Sequence, residues 1–268
     1  MPTQEKIAHS VSFVVPALNE EKVVEGVVRR IHATVDGLVG TYEIALIDDG
    51  STDRTGQIMD ALARELRNVR VLHNTPNIGL GASYQRGVGE SRYDYVMMLC
   101  GDGGLPAASL PPIIGRIGTA DIVVPYMINL RQIKTPLRYL ISRSYTHVLN
   151  LLSGQRLNYY NGLSVHRRAL LAQTKMASSG FGFQGEILVQ LLRAGCSFVQ
   201  VGVLGSETTN KTSAFRAKNL ASVVRTLLRL VRFILTEQKT PAHEPRGARC
   251  TEAGTVYRHG HGEHQPKK

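Results

Sequence analysis

The sequence predicts an α/β protein in which a mostly parallel sheet is flanked by helices. Short apolar runs alternate with segments whose apolar residues recur at helical spacing, which is the pattern of βαβ units. The apolar run at residues 44–47 is continuous, as expected of a strand that is buried on both faces. The chain has 268 residues, of which 43% are hydrophobic and 20% charged, so it is long enough for one large domain of this class.

The elements follow in chain order. Strands are predicted at residues 12–16, 44–47, 69–72, 95–99, 122–125 and 197–201, and a short strand after the turn at 158–162. Helices are predicted between them, the first from the apolar face at Val23, Val24, Val27, Val28 and Ile31. This alternation favours helices on both faces of one sheet.

Two carboxylates end the second predicted strand. Asp48 and Asp49 are followed by Gly50, and then by Ser51 and Asp53, either of which can cap the next helix. Ligands of open α/β sheets bind in the crevice outside the carboxyl ends of the strands. The pair therefore suits a divalent cation or the hydroxyl and ring N–H groups of a nucleoside. An ordinary Asp-rich turn is the alternative, and the motif alone leaves both open.

Two glycine-rich turns follow later strands. Gly79 and Gly81 open a predicted helix, where backbone can cradle a phosphate or form a tight turn. Their position after the third strand and their spacing exclude a dinucleotide-binding fingerprint. Asp102 stands among Gly101, Gly103 and Gly104 after the fourth strand. Glycine weakens strands, and a turn needs only one or two glycines. A carboxylate among three glycines therefore favours a ligand or metal role over packing.

Charge is divided unevenly along the chain, whose formal net charge is +11. Residues 1–121 carry 11 Lys and Arg against 15 Asp and Glu, whereas residues 122–185 carry eight basic residues and no acid. Such a basic half fits a nucleic acid or an anionic lipid surface. Zinc-finger spacing and ribonucleoprotein-type aromatic motifs are missing, so we expect no nucleic-acid partner.

Two basic segments have helical periodicity. The segment at residues 131–152 carries Arg131, Lys134, Arg138 and Arg143 and is apolar around much of its circumference, so it is either a buried helix with a basic face or an interfacial one. Residues 219–235 place Arg225, Arg229 and Arg232 on one face, which fits attachment to a membrane surface or packing on the domain. We divide the chain into a domain at 1–210, this amphipathic helix at 211–235, and a disordered tail at 236–268.

The N-terminus and the apolar runs indicate where in the cell the protein is expected. The polar N-terminus lacks an apolar signal core, and no apolar run is long enough to span a bilayer. We therefore expect a cytoplasmic protein that lies peripherally at the cytoplasmic face of a membrane.

Four landmarks together resemble the family 2 glycosyltransferases with the GT-A fold. They are the segments at 15–20, 48–53 and 77–81, and the Gly101-Asp102 pair after an apolar strand. The later segments at 138–143, 160–167 and 180–186 are similar to the dolichol- and polyprenol-phosphate mannose synthases. The resemblance covers roughly residues 10–235.

The resemblance implies a nucleotide-sugar site, a metal and an acceptor site. The donor positions are Pro16, Ala17, Glu20, Asp48, Asp49, Ser51, Gly79, Gly101 and Asp102. Asp102 matches the second acid of the family's Asp-x-Asp signature, which ligates a divalent metal (Mg²⁺ or Mn²⁺), and Cys100 replaces the first acid. Asp102 and Glu186 are the candidate catalytic residues, although Glu186 also suits a salt bridge. Arg138 and Arg143 match basic positions of the lipid-phosphate branch and are the expected ligands of the acceptor phosphate, and Ser142 adds a hydroxyl donor between them.

The expected activity is therefore metal-dependent transfer of a hexose, with inversion, from a nucleotide-diphosphate sugar to a polyprenyl phosphate. Such a product belongs to glycan or cell-envelope biosynthesis. A transferase that acts on a soluble alcohol, and a non-catalytic nucleotide-sugar binding protein, are the alternatives. An alcohol would require a base, for which Glu186 and Asp102 are the candidates.

Overall fold

A computed structural model of the protein describes residues 6–178, 180, 182–205 and 217–237. The predicted tail from residue 238 onward lies outside the described residues. The strands are β1 (Val11–Ala17), β2 (Tyr42–Asp48), β3 (Val69–His73), β4 (Tyr95–Met98), β5 (Ile122–Met127), β6 (Val165–Arg167) and β7 (Phe198–Val203). The α-helices are α1 (Val24–Leu38), α2 (Thr55–Glu65), α3 (Leu80–Gly89), α4 (Leu110–Ile114), α5 (Leu130–Ile133), α6 (Pro136–Ser153), α7 (Arg168–Leu171), α8 (Phe183–Arg193) and α9 (Ala217–Glu237).

The described strands form one seven-stranded sheet in the order β3-β2-β1-β4-β6-β5-β7. Strands β1 to β4 pair in parallel, as do β5 and β7. Only β6 is antiparallel to its neighbours in this sheet, β4 and β5. The predicted mostly parallel α/β sheet is thus confirmed. Six of the seven strands direct their carboxyl ends to the same edge.

Helices cover both faces of the sheet because its strands are apolar on both sides. On β1, Phe13 and Val15 enter one core with α1, α2 and α4, while Val14 enters the other with α3, α6 and α8. All seven residues of β1 and of β2 are buried. This rigid double-sided core fixes the positions of the loops that follow β1, β2 and β4.

Helix α9 packs on the domain through one of its faces. Thr226 and Leu230 are buried, and the Thr226 and Ser178 hydroxyls are 2.7 Å apart. Arg229 donates to the carbonyl oxygen of Ala177 at 2.7 Å. The helix predicted at 219–235 is present and ends two residues later, at Glu237. Packing on the domain, one of its two expected roles, occurs on this face.

A second face of α9 remains exposed. Leu228 and Leu235 are 66% and 62% exposed, and Val231 lies between them at helical spacing. Arg225 and Arg232 are exposed too. The described residues contain no helix that is long and apolar enough to cross a membrane.

Candidate active site

The loops after β1, β2 and β4 meet at the carboxyl edge of the sheet. The amide of Gly101 donates to the carbonyl oxygen of Pro16 at 3.1 Å, and the amide of Asp49 donates to that of Ala17 at 3.0 Å. A Cβ on Gly101 would lie 2.7 Å from the Cβ of Ala17, so only glycine permits this approach. Three of the sequence landmarks are therefore parts of one crevice.

The Asp48 carboxylate is held on both of its oxygens. Oδ1 accepts the amide of Ser51 at 3.0 Å, and Oδ2 lies 2.9 Å from Nδ1 of His73. Burial opposes ionisation of Asp48, but these contacts outweigh it and lower its pKa below the usual value. A Cβ at Gly56 would meet Oδ2 at 2.6 Å, so this glycine makes room for the carboxylate. Asp48 is thus an oriented anion at the floor of the crevice.

His73 connects Asp48 to a second carboxylate. Its Nε2 lies 3.1 Å from Oδ1 of Asp60, on α2. The hydrogen bond to Asp48, followed by the one to Asp60, raises the pKa of His73 above its ordinary value. Both ring nitrogens can donate only in the imidazolium form, so the arrangement favours the protonated ring.

Asp49 holds the turn between β3 and α3. Oδ1 accepts Nδ2 of Asn74 at 2.9 Å and the amide of Ile78 at 3.0 Å. Oδ2 accepts Nδ2 of Asn77 and the amide of Gly79, each at 3.0 Å. These four donors match the roughly four acceptor positions of a carboxylate. Asp49 is 4% exposed, and its hydrogen bonds hold the glycine turn beside the crevice in place.

Gly79 itself has a φ of 91°, which favours glycine, and it precedes the first turn of α3. The fourth landmark, the turn at 77–81, is thereby brought to the same crevice. Its backbone is shaped by Asp49 rather than by capping side chains of its own helix.

Ser51 and Glu20 lie on the loops that line the crevice. The Ser51 hydroxyl accepts the amide of Asn19 at 3.0 Å, and the amide of Glu20 donates to Oγ1 of Thr55 at 2.8 Å. Burial, then the charges of Asp102 and Asp53, raises the pKa of Glu20. Carboxylates from three different loops therefore repel one another here, which makes the crevice strongly acidic.

Asp102 accepts the amide of Gly104 on Oδ1 at 2.9 Å. The neighbouring Cys100 is a poor ligand for a hard cation, because burial, Asp102 and Glu20 all raise the pKa of its thiol. No group of three or more His, Cys, Asp or Glu side chains in the described residues is placed to hold a metal ion. The oxygen donor of Asp102 nevertheless fits Mg²⁺ or Mn²⁺, since such ions often bind through one or two carboxylates plus substrate phosphates.

Glu186 lies apart from these contacts, in the first turn of α8. Its Oε2 accepts the amides of Ala177 and Ser178 at 3.2 and 3.0 Å, and the residue is 5% exposed. Among the described contacts, the carboxylate fastens the segment before α8. The expected salt bridge is not observed among the described residues, and the catalytic role stays a prediction.

The three predicted acceptor residues lie on α6, which continues without a break past both arginines. The Ser142 hydroxyl accepts Nζ of Lys134 at 3.1 Å. Arg143 instead lines a cleft of about 1000 Å³ together with Arg116 and Arg131, and Arg138 is not part of its lining. The structure therefore separates Arg143 from Arg138, as their spacing of five residues requires on a straight helix.

Comparison with known proteins identifies the class. Residues 12–173 match the model of glycosyl transferase family 2. The chain belongs to this family, which confirms the class expected from the landmarks.

Curated relatives show which members of the family the chain is similar to. The chain is 34% identical to an undecaprenyl-phosphate 4-deoxy-4-formamido-L-arabinose transferase of Pseudomonas fluorescens, over 46% of this chain and 37% of the relative. It is 27% identical to an undecaprenyl-phosphate mannosyltransferase of Micrococcus luteus, over 71% of this chain and 81% of the relative. The chain spans half or less of the length of several other curated relatives it matches.

A solved structure has the same fold. It is the glucosyl-3-phosphoglycerate synthase of Mycobacterium tuberculosis, crystallised with Mn²⁺, UDP-glucose and phosphoglyceric acid. The TM-score is 0.65 at 23% identity, over 83% of this chain and 80% of the other. The GT-A fold expected from the sequence is confirmed.

Two residues of the site were not expected from the sequence. His73 ends β3 and contacts Asp48, and Lys134 lies between α5 and α6 and contacts Tyr159, a partner 25 residues away in the chain in each case. In the sequence, each is only a titratable side chain near the end of a predicted element. Such side chains are too common to identify either residue as part of the site.

Proposed function

We propose that this protein transfers a sugar from a nucleotide-diphosphate sugar to a polyprenyl phosphate, with inversion at the anomeric carbon. The observation that carries the proposal is the acidic crevice at the sheet edge, in a chain whose following 64-residue segment, residues 122–185, has eight basic residues and no acid. The two curated relatives described above act, by their names, on undecaprenyl phosphate, which supports this acceptor class.

The donor occupies the crevice in this proposal. Asp48, oriented by Ser51 and His73, receives hydrogen bonds from the nucleoside, while Pro16, Ala17 and the turn at Gly79 shape the walls. Asp102 holds a divalent cation, which compensates the charge of the donor diphosphate and of the leaving nucleotide when it is bound. Without a cation, the diphosphate and the crevice carboxylates would repel each other.

The acceptor needs little help from a base. A phosphate monoester is largely dianionic near neutral pH because its second pKa is about 6, so its oxygen can attack directly. Catalysis then depends on positioning the phosphate against the sugar. Arg138, Ser142 and Arg143 are the proposed positioning groups. This agrees with a Glu186 carboxylate that is engaged by backbone amides.

We further propose a peripheral location at the cytoplasmic face of a membrane. Helix α6 exposes Leu137 and Leu151 at 67% and 71%, and α9 exposes Leu228 beside Arg225 and Arg232. Apolar side chains bordered by arginines suit the headgroup region of an anionic bilayer.

Vesicle sedimentation tests the location. Binding to anionic vesicles should weaken with salt, and the double variant Arg225→Glu with Arg232→Glu should bind at least several-fold less. Arg193, at the C-terminal end of α8, provides the control Arg193→Glu. Equal binding to neutral and anionic vesicles by all three proteins contradicts the proposal.

A radiolabelled transfer assay tests the activity. Purified protein is incubated with labelled nucleotide sugars, a divalent cation and either polyprenyl phosphate or the matching polyprenol. Label should enter the organic phase only with the phosphate. Transfer to a soluble alcohol such as a phosphoglycerate would instead support the alternative acceptor class, and binding of donor without any transfer would support a non-catalytic binding protein.

A further inference from the structure

Lys134 lies in the short connection between α5 and α6, and its ammonium is fixed by three contacts. Nζ donates to the Ser142 hydroxyl at 3.1 Å and to the Tyr159 hydroxyl at 3.2 Å. It also lies 5.1 Å from the centre of the Tyr159 ring. The amine is therefore oriented, although a free lysine has a highly mobile side chain.

None of these partners carries a negative charge. Within the described residues, no carboxylate lies within ion-pair distance of Lys134, and the charge of the Arg138 guanidinium acts on its ammonium. Burial, and then repulsion from Arg138, lowers the pKa of Lys134 to about 8. The charged form of a lysine that is largely withdrawn from water and lies near another cation is disfavoured, so an anion that binds Nζ would stabilise it.

We infer that Lys134 is an additional ligand of the acceptor phosphate, held in place by Ser142 and Tyr159 and acting together with Arg138. This inference rests on the proposed function for the identity of the anion. An ammonium has three N–H donors, of which two are engaged, so the third remains for a phosphate oxygen.

The structural alternative is a lysine that stabilises the junction between α5, α6 and the Tyr159 loop. The two roles differ in what an apolar replacement does to stability. Lys134→Met keeps the length of the side chain and removes the repulsion with Arg138, so a ligand role predicts unchanged or higher stability. A structural role predicts a loss, because the two hydroxyl contacts disappear.

The pH dependence gives a second distinction. The titratable or charged groups that face Nζ are Arg138 on α6 and Tyr159, whose pKa burial raises to about 12. Tyr159 therefore stays neutral near pH 8, and a guanidinium is charged throughout this range. Phosphate affinity should therefore fall as the pH rises through about 8 and Lys134 loses its proton. Lys134→Arg should bind phosphate without this dependence, since guanidinium stays charged.

The experiment uses the full chain with ¹³C-labelled lysines, whose ammonium groups are left unmodified. The Lys134 resonance, assigned by its loss in Lys134→Met, is titrated with pH in chloride and in inorganic phosphate. Phosphate should raise the apparent pKa of this lysine and leave that of exposed Lys175 unchanged. An unchanged Lys134 pKa in phosphate overturns the inference.

Acceptor binding is measured in parallel with a short-chain polyprenyl phosphate. Lys134→Met should bind it about ten- to a hundredfold more weakly, the range of one charge-assisted hydrogen bond, and nucleotide binding should not change. Lys175→Met is the matched control and should bind normally. Equal affinity of Lys134→Met and the wild type overturns the inference. If the wild type binds inorganic phosphate at Lys134 but transfers no sugar to any polyprenyl phosphate, the proposed function fails while the anion site stands.

Discussion

Replacement of Asp49 by Asn tests whether this carboxylate acts by holding the turn between β3 and α3. Each oxygen of the Asp49 carboxylate accepts two hydrogen bonds, and in asparagine one of these oxygens is replaced by –NH₂, which cannot accept. In either orientation of the new amide, two of the four donors therefore face –NH₂. If the –NH₂ takes the Oδ2 position, Asn77 can rotate its own amide, but it then loses its 2.9 Å bond to the Asp49 carbonyl, and the Gly79 amide remains unpaired.

The expected cost follows from these contacts. A buried donor without an acceptor costs about 1–3 kcal/mol, so the variant should lose about 2–4 kcal/mol of unfolding free energy. That is a large share of the roughly 5–15 kcal/mol typical of a domain. Nucleotide affinity should fall as well, because the Gly79 turn loses its support.

Urea unfolding followed by far-UV circular dichroism suits this chain, which contains no tryptophan. The control is Asp94→Asn, an exposed carboxylate that accepts the Ser10 hydroxyl at 2.8 Å and should lose less than about 1 kcal/mol. A variant at Asp49 that unfolds like the wild type but no longer binds nucleotide would refute the reasoning. It would show instead that Asp49 contacts the nucleoside directly.

Three further predictions concern the crevice. Asp102→Asn should abolish cation-dependent transfer with unchanged unfolding, and full activity of this variant in chelator would contradict the metal assignment. Cys100→Asp should increase Mn²⁺ affinity in a titration, whereas lower affinity would show that position 100 does not face the metal. His73→Gln should destabilise the protein most at about pH 6, because His73 stabilises the fold below its unfolded pKa of about 6.5 and loses this effect as the pH rises through its raised folded pKa. The free energy of unfolding of the variant and the wild type is measured at about pH 6 and about pH 9. An equal loss of stability at both pH values would contradict a protonated His73 between Asp48 and Asp60.

The local sequence was sufficient for the elements and for most of the crevice. Short apolar runs that alternate with segments of helical periodicity are typical of strands buried on both faces, and six strands of this sheet bring their carboxyl ends to one edge. Asp48 ends β2, and Gly101 and Asp102 follow shortly after Met98, the last residue of β4, so their meeting follows from the topology of the sheet. The close approach of Gly101 to Ala17 was not expected, because the sequence favoured a ligand or metal role over packing for this glycine-rich stretch.

Other features depend on contacts between residues that are far apart in the chain. The antiparallel insertion of β6 between β4 and β5 follows from no local pattern, because three residues are too few to show a direction. Sequence spacing showed that Arg138 and Arg143 do not share a helical face, but only the packing around α6 revealed which of them faces the cleft.

The roles of single polar groups were decided by tertiary structure for the same reason. Asp49 and Glu186 look like free carboxylates in the sequence, yet each is engaged by donors from another loop. His73 and Lys134 carry no motif, and they matter because folding places them against Asp48 and Ser142. A sequence specifies which groups can ionise or donate, whereas their charge state and availability depend on the partners and the burial that only the folded chain supplies.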